Sequence, residues 1–240
     1  MSVTPTPVAI VTGAGSGIGR ATSLLLAARG HQLLLVGRTL AKLEATAAAI
    51  AREHPSLPIE LFEANLADPS APASAVARAV ARFGRLDTLV NAAGVAPLAP
   101  IDRTDLPLLE STFATNTFAP ALLIAAAWPA LRAGGGGCIV NVSTIGTSDP
   151  FAGFFAYAAS KSALDSLTRS VAREGARAGI RAFSVNPGAV ETPLLRRNFP
   201  ERTIPRERAL SPDAVAAVIL DCIEGRRPVD LGRCIALPSP

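Results

Sequence analysis

Val8-Ala9-Ile10-Val11-Thr12 runs without a break into Gly13-Ala14-Gly15-Ser16-Gly17-Ile18-Gly19, and an amphipathic stretch from Arg20 to Arg29 follows. A short apolar run, a glycine-rich turn and a helical period in that order read as strand, loop and helix. Glycines let the backbone turn sharply and approach a pyrophosphate, while the first N–H groups of the next helix point at it. Placed after a first strand, Gly13, Gly15, Ser16, Gly17, Ile18 and Gly19 are candidate contacts for a dinucleotide. The spacing Gly13-x3-Gly17-x-Gly19 is not the ordinary GxGxxG fingerprint.

The same alternation continues along the chain. Gln32 to Val36, Ile59 to Glu63, Thr88 to Asn91, Cys138 to Ser143, Arg181 to Asn186 and Cys234 to Leu237 read as further strands. Helical patterns lie between them at Gly17–Arg29, Leu40–Glu53, Ser70–Phe83, Leu106–Leu131, Ala156–Ala178 and Pro212–Glu224. Continuous apolar strands separated by helices imply an α/β fold with a parallel sheet buried on both faces. Right-handed crossovers make it doubly wound, a Rossmann fold of about seven strands. No internal repeat or linker is evident, so residues 1–240 are expected to form a single domain.

Composition excludes several classes. Cys138, Cys222 and Cys234 are odd in number and widely spaced, which argues against a disulfide framework. His31 and His54 stand far apart, so no metal-ligand set can be assembled and no metal is expected. No uninterrupted apolar run reaches the roughly 18 residues of a membrane span, and Met1 to Pro5 carry no export signal. The expectation is a cytoplasmic protein without a membrane partner. A net charge of +4 invites a nucleic-acid reading, but the basic residues gather only at Arg196, Arg197, Arg202, Arg206 and Arg208. No aromatic platforms are interleaved with them, so no nucleic acid is expected.

Only two of the 23 basic residues are lysines, Lys42 and Lys161, and the single tyrosine, Tyr157, stands four residues before Lys161. That spacing puts both side chains on one helical face. A nearby cation favours phenolate over phenol and should move the Tyr157 pKa from about 10 towards neutrality. Tyr157 is therefore a candidate general acid/base.

The Tyr-x-x-x-Lys pair together with Thr12-Gly13-x3-Gly17-Ile18-Gly19 resembles the motifs of the short-chain dehydrogenase/reductase family. Asn91-Ala92-Ala93-Gly94 looks like that family's NNAG, Asn116 sits where the family keeps an Asn, and Pro187-Gly188 with Thr192 resembles its PG motif. The resemblance covers nearly the whole chain, and carbonyl and β-ketoacyl reductases are the members it is most similar to. It implies hydride transfer between a nicotinamide and a carbonyl or alcohol, with Tyr157 as proton donor and Lys161 on the nicotinamide ribose. It also implies that Asn116 holds a water joining Lys161 to solvent. Leu66, Asn91, Ala92, Gly94, Pro187, Gly188, Val190 and Thr192 are implied cofactor contacts, and residues 189–210 an implied substrate lid.

Two positions depart from the pattern. Counting 13 residues back from Tyr157 to the catalytic hydroxyl gives Thr144, with Ser143 one further away. Either Thr144 serves, or the loop has gained a residue and Ser143 serves. Asn65 replaces an Asp that bonds adenine; its carbonyl can still accept that bond, and a turn role is the other reading. After the second strand, Gly37 offers no carboxylate for a ribose 2′-OH and Arg38 offers a guanidinium for a 2′-phosphate, so NADP(H) is expected over NAD(H). Phe151, Phe154 and Phe155 are expected at the pocket mouth. The resulting expectation is an NADP(H)-dependent oxidoreductase on a small carbonyl or alcohol substrate. A β-ketoacyl thioester reductase and a non-catalytic NADP(H)-sensing protein are the alternatives. Surplus apolar surface on the helices Leu106–Leu131 and Ala156–Ala178 suggests a homodimer or homotetramer.

Overall fold

The computed structural model describes residues 5–240, so the reading of Met1 to Thr4 lies outside the described residues. Seven parallel strands form one sheet in the order β3-β2-β1-β4-β5-β6-β7. They are β1 Val8–Thr12, β2 Gln32–Gly37, β3 Ile59–Glu63, β4 Thr88–Asn91, β5 Gly137–Val142, β6 Ile180–Pro187 and β7 Cys234–Leu237. All five residues of β1 are buried. Its alternate side chains feed two separate cores, Ala9 and Val11 on one face, Val8 and Ile10 on the other. This is the doubly wound Rossmann arrangement expected from the sequence.

Helices α1 Gly17–Ala28 and α2 Leu40–Glu53 cover one face together with α8 Pro212–Ile223. The other face carries α3 Ala71–Phe83, α4 Leu106–Phe113, α5 Ala119–Ala133 and α6 Phe155–Gly175. A short helix, α7 Pro193–Asn198, lies in the segment expected to be the lid and was not foreseen. The starts of α4, α7 and α8 share one device: Asp105, Thr192 and Ser211 each accept a backbone N–H two or three residues on, with a proline following in the first turn.

The expected helix Leu106–Leu131 is corrected in one respect. It is interrupted by a π turn, Ala114–Phe118, which carries Asn116. Such turns insert a residue without ending the helix and recur at functional sites. Pro120 is absorbed in the first turn after it, and α5 continues past Pro129 to Ala133. The joined stretch Leu106–Ala133 is 28 residues long with a mean hydropathy of 1.2, long and apolar enough to cross a membrane. Its apolar content has a place in this fold, because Ala119, Leu123, Ala127 and Leu131 are buried in the core beneath the sheet.

Strand order reverses between β1 and β4, and the register aligns Thr12 with Asn91 and Asn91 with Asn141 at the carboxyl ends. Thr12 Oγ1 donates to the Val90 carbonyl at 3.3 Å and accepts the N–H groups of Ala92 and Ala93 at 3.0 and 3.1 Å. Asn91 Nδ2 donates to Asn141 Oδ1 at 2.8 Å, and Asn141 Nδ2 donates to Thr168 Oγ1 at 2.9 Å. These bonds pin the start of the chain after β4 to the end of β1 and form the floor of a crevice at the point of reversal.

At the opposite end of the strands His31 is buried, and its Nδ1 has no hydrogen-bond partner among the described residues. Burial lowers its pKa from 6.5, against the opposing effects of the Leu26 backbone and Asp87. A base whose folded value is depressed takes up its proton more readily when unfolded, so it removes stability as pH falls below about 6.5. His31→Leu should flatten that part of the Tm–pH curve, measured by thermal denaturation in a series of buffers. An acid limb of unchanged slope would show that His31 does not set it.

Candidate active site

The crevice holds two connected hollows. Ile18, Ala92, Gly94, Thr192 and Leu194 border both, so they form one cleft across the reversal point. The inner cavity, about 340 Å³, has Ser143, Thr144, Tyr157 and Lys161 in its wall.

Tyr157 and Lys161 lie on the same face of α6, as their spacing requires. Thr144 follows β5; its hydroxyl accepts the Gly146 N–H at 3.2 Å and lies close enough to the Tyr157 phenol to act on its pKa. Ser143 Oγ instead turns to the Lys161 carbonyl at 3.4 Å. Both candidate hydroxyls border the inner cavity. Lys161 is buried, and its Nζ donates to the Val142 carbonyl at 2.7 Å. A Cβ on Gly94 would stand 3.5 Å from that Nζ and 3.3 Å from Asn116 Oδ1, so a larger residue there would crowd the ammonium.

Electrostatics reverse one expectation. Burial pushes the Tyr157 phenol up to about 12, with the Thr144 hydroxyl acting the other way. The expected lowering by Lys161 is absent because its ammonium faces a backbone carbonyl and desolvation of the phenolate dominates. Burial likewise pulls Lys161 down to about 8, while the Asp165 charge raises it. Asn116 accepts from Val95 N at 2.9 Å and donates to Val95 O and Ser160 Oγ at 2.8 and 3.0 Å. Its amide thereby braces the chain after β4 against α6.

The outer hollow, about 210 Å³, is bordered by the glycine loop, Arg38 and Lys42. The loop is shaped for close approach. A Cβ on Gly19 would lie 2.4 Å from the Gly13 carbonyl, one on Gly17 2.8 Å from Thr192, and Gly13 itself has φ +68. Ser16 begins α1 without a side-chain cap, and no acidic residue occupies the first turn. The helix end therefore offers its N–H groups to an anion, and these residues fit a dinucleotide pyrophosphate. Asn65 and Leu66 border the hollow, and Asn65 Oδ1 accepts the Ala67 N–H at 3.2 Å, which is the turn role. Lys42 was not singled out from the sequence as a contact; its rarity was the available signal. Glu63 also comes to this end, where its carboxylate accepts the Leu40 N–H at 3.1 Å.

The inner cavity is otherwise apolar. Phe154 packs on Tyr157 at 5.4 Å and on Phe199 at 5.9 Å between ring centres. Phe151 joins this wall, but Phe155 is half exposed outside it, contrary to expectation. Leu194, Leu195 and Ile204 face the cavity from residues 189–210. That segment is pinched at its base by Leu210 N to Ala189 O and Glu191 N to Leu210 O, both 2.9 Å. Inside it, Arg196 pairs with Glu191 and donates to the carbonyls of Phe199 and Ile204. Asn198 Nδ2 fastens it to the Ala96 carbonyl at 2.7 Å.

Residues 7–203 match the family described as short chain dehydrogenase. The D-threitol dehydrogenase of Mycolicibacterium smegmatis is 32% identical over 217 residues, covering 88% of this chain and 83% of that protein. The crystal structure of a levodione reductase superimposes with a TM-score of 0.91 at 27% identity, covering 98% of this chain and 97% of the other. A short chain dehydrogenase from Burkholderia cenocepacia, solved in complex with NADP, gives 0.88 at 30% identity over 98% and 97% of the two chains. With its glycine loop, its Tyr157–Lys161 pair and its parallel sheet, this chain belongs to the short-chain dehydrogenase family of oxidoreductases acting on alcohols and carbonyls.

Proposed function

We propose that the chain is an NADP(H)-dependent reductase of small, uncharged ketones or aldehydes with apolar bulk. The observation that carries this reading is the convergence of Thr144, Tyr157 and the buried Lys161 on the wall of one apolar cavity. A bound nicotinamide supplies the hydride that the carbonyl carbon takes up. Tyr157, held well above neutral pH and so protonated, gives its phenolic proton to the carbonyl oxygen. Thr144 donates a hydrogen bond to the same oxygen as charge develops on it. Lys161 would hold the nicotinamide ribose hydroxyls through its ammonium. A protonated phenol at neutral pH favours reduction; oxidation, which needs phenolate, belongs to alkaline pH. The segment 189–210 closes over the substrate and sets its shape.

A nicotinamide absorbance assay on a panel of ketones, aldehydes and β-ketoacyl thioesters tests the reading. Cofactor binding without turnover on any of them would favour the non-catalytic alternative. Tyr157→Phe should lower kcat by about 100- to 10,000-fold with cofactor affinity retained. Thr144→Val should cost about 100- to 1,000-fold, while Ser143→Ala should be mild. The reverse ranking would assign the hydroxyl to Ser143.

Cofactor preference follows from the end of β2. Gly37 carries no carboxylate, and the exposed cations Arg38 and Lys42 border the hollow there. One charge-assisted contact to a 2′-phosphate is worth about 1.5–3 kcal/mol, roughly 10- to 150-fold in affinity. Gly37→Asp combined with Arg38→Ala should reverse the NADPH-to-NADH ratio of specificity constants. Equal use of both cofactors by the unaltered enzyme would place Arg38 in solvent.

Assembly is the remaining part of the proposal. Leu106, Phe118, Leu122 and Phe155 are exposed on α4, the π turn, α5 and α6. Pairing of these helices about a two-fold axis would cover them. Light scattering at micromolar concentration should give a dimer or tetramer, and Phe118→Glu should shift it towards monomer. A monomeric mass for the unaltered chain would remove this part.

A further inference from the structure

Behind the catalytic wall α6 buries a carboxylate. Asp165 is 4% exposed and lies one helical turn beyond Lys161. Taking a carboxylate out of water is costly unless its oxygens are paired, and both are. Oδ1 accepts from Ser184 Oγ at 2.6 Å, and Oδ2 accepts from Asn186 Nδ2 at 3.0 Å. The Cys234 thiol of β7 lies near enough for the Asp165 charge to raise its pKa. Asn186 Nδ2 also donates to the Thr144 carbonyl at 3.1 Å and to Thr147 Oγ1 at 3.2 Å. These two acceptors belong to the 3-10 turn after β5 that begins at Thr144. A buried charge is poor evidence for stability, since apolar residues of similar volume often do as well. Its presence is better explained by what it connects.

We propose that Asp165 is a positioning residue for carbonyl reduction: through Asn186 it fixes the turn that aims Thr144 at Tyr157, and it places a negative charge one turn behind Lys161. The proposal rests on the reductase reading above. The charged and titratable groups around Asp165 are Lys161 and Arg169, four residues either side on α6, and Cys234 from β7; Ser184 and Asn186 of β6 are neutral. Its charge opposes the burial that pulls Lys161 down to about 8. Without Asp165 the lysine should lose its proton at lower pH.

The chain's two lysines make this measurable. Specific ¹³Cε-lysine labelling gives two NMR signals, and the buried one should titrate near pH 8. Asp165→Asn keeps the shape and removes the charge. Its Lys161 midpoint should fall by about one pH unit or more, and kcat should drop about 10- to 100-fold with substrate KM little changed. The alkaline limb of the pH–rate profile should move with the midpoint. Asn186→Ala breaks the link to Thr144 but leaves the charge, so kcat should fall while the midpoint stays; this variant carries the test if Asp165→Asn does not fold. An unmoved midpoint in Asp165→Asn, or unaltered kcat in Asn186→Ala, would overturn the proposal. If the unaltered chain reduces no carbonyl, the reductase reading fails, and the lysine midpoint still decides the electrostatic half.

Discussion

One hydroxyl holds the crevice on which the rest depends. Thr12 ends β1 and accepts two backbone N–H groups of the chain leaving β4, while donating to that strand. At the reversal of strand order the helices that follow β1 and β4 go to opposite faces of the sheet. The chain between them must part there, and its backbone groups need partners. Thr12 supplies those partners from the neighbouring strand. The glycine loop can then turn above β1 with no side chain in its path, because a Cβ on Gly19 would strike the Gly13 carbonyl. The outer hollow and the inner cavity both open from this gap.

The wall itself is a compromise between burial and charge. Lys161 is held in a nearly dry position, where an ammonium is disfavoured, yet it keeps a carbonyl partner on one side and a carboxylate one turn away. Tyr157 is buried enough to stay protonated, with a threonine hydroxyl close beside it. Each group is displaced from its ordinary range by desolvation first and by neighbours second.

Much of the architecture was legible in the sequence because the governing signals are local. A strand buried on both faces must be apolar throughout, and the alternation of such runs with helical periods dictates the order of layers. The i, i+4 spacing of Tyr157 and Lys161 likewise needs only helix geometry, and both side chains border the inner cavity. What the sequence hid depends on neighbours distant in the chain. The π turn at Asn116 leaves the apolar pattern of Leu106–Ala133 readable as one helix. The direction of the Tyr157 shift turns on burial, which spacing does not report. The link from Asp165 to Thr144 exists only because β6 brings Ser184 and Asn186 beside α6. Phe155, adjacent to Phe154 on a helix, had to point elsewhere once Phe154 faced the cavity.

The clasp around Arg196 has a mechanical consequence. A stretch of 22 residues outside the sheet would ordinarily behave as a slack chain and lose much conformational entropy on meeting a ligand. Here the guanidinium ties Glu191 to the carbonyls of Phe199 and Ile204, and the base is pinched shut at Ala189 and Leu210. The segment is thus a stiff plate on a narrow stem, fastened at its far side by Asn198 to Ala96. Swinging a plate requires release of that bond and of the Phe199–Phe154 contact, with a change of torsion in the stem, while its inner lining of Leu194, Leu195 and Ile204 travels as a single surface. Little order remains to be created when a guest arrives, so the apolar contact area is retained as affinity.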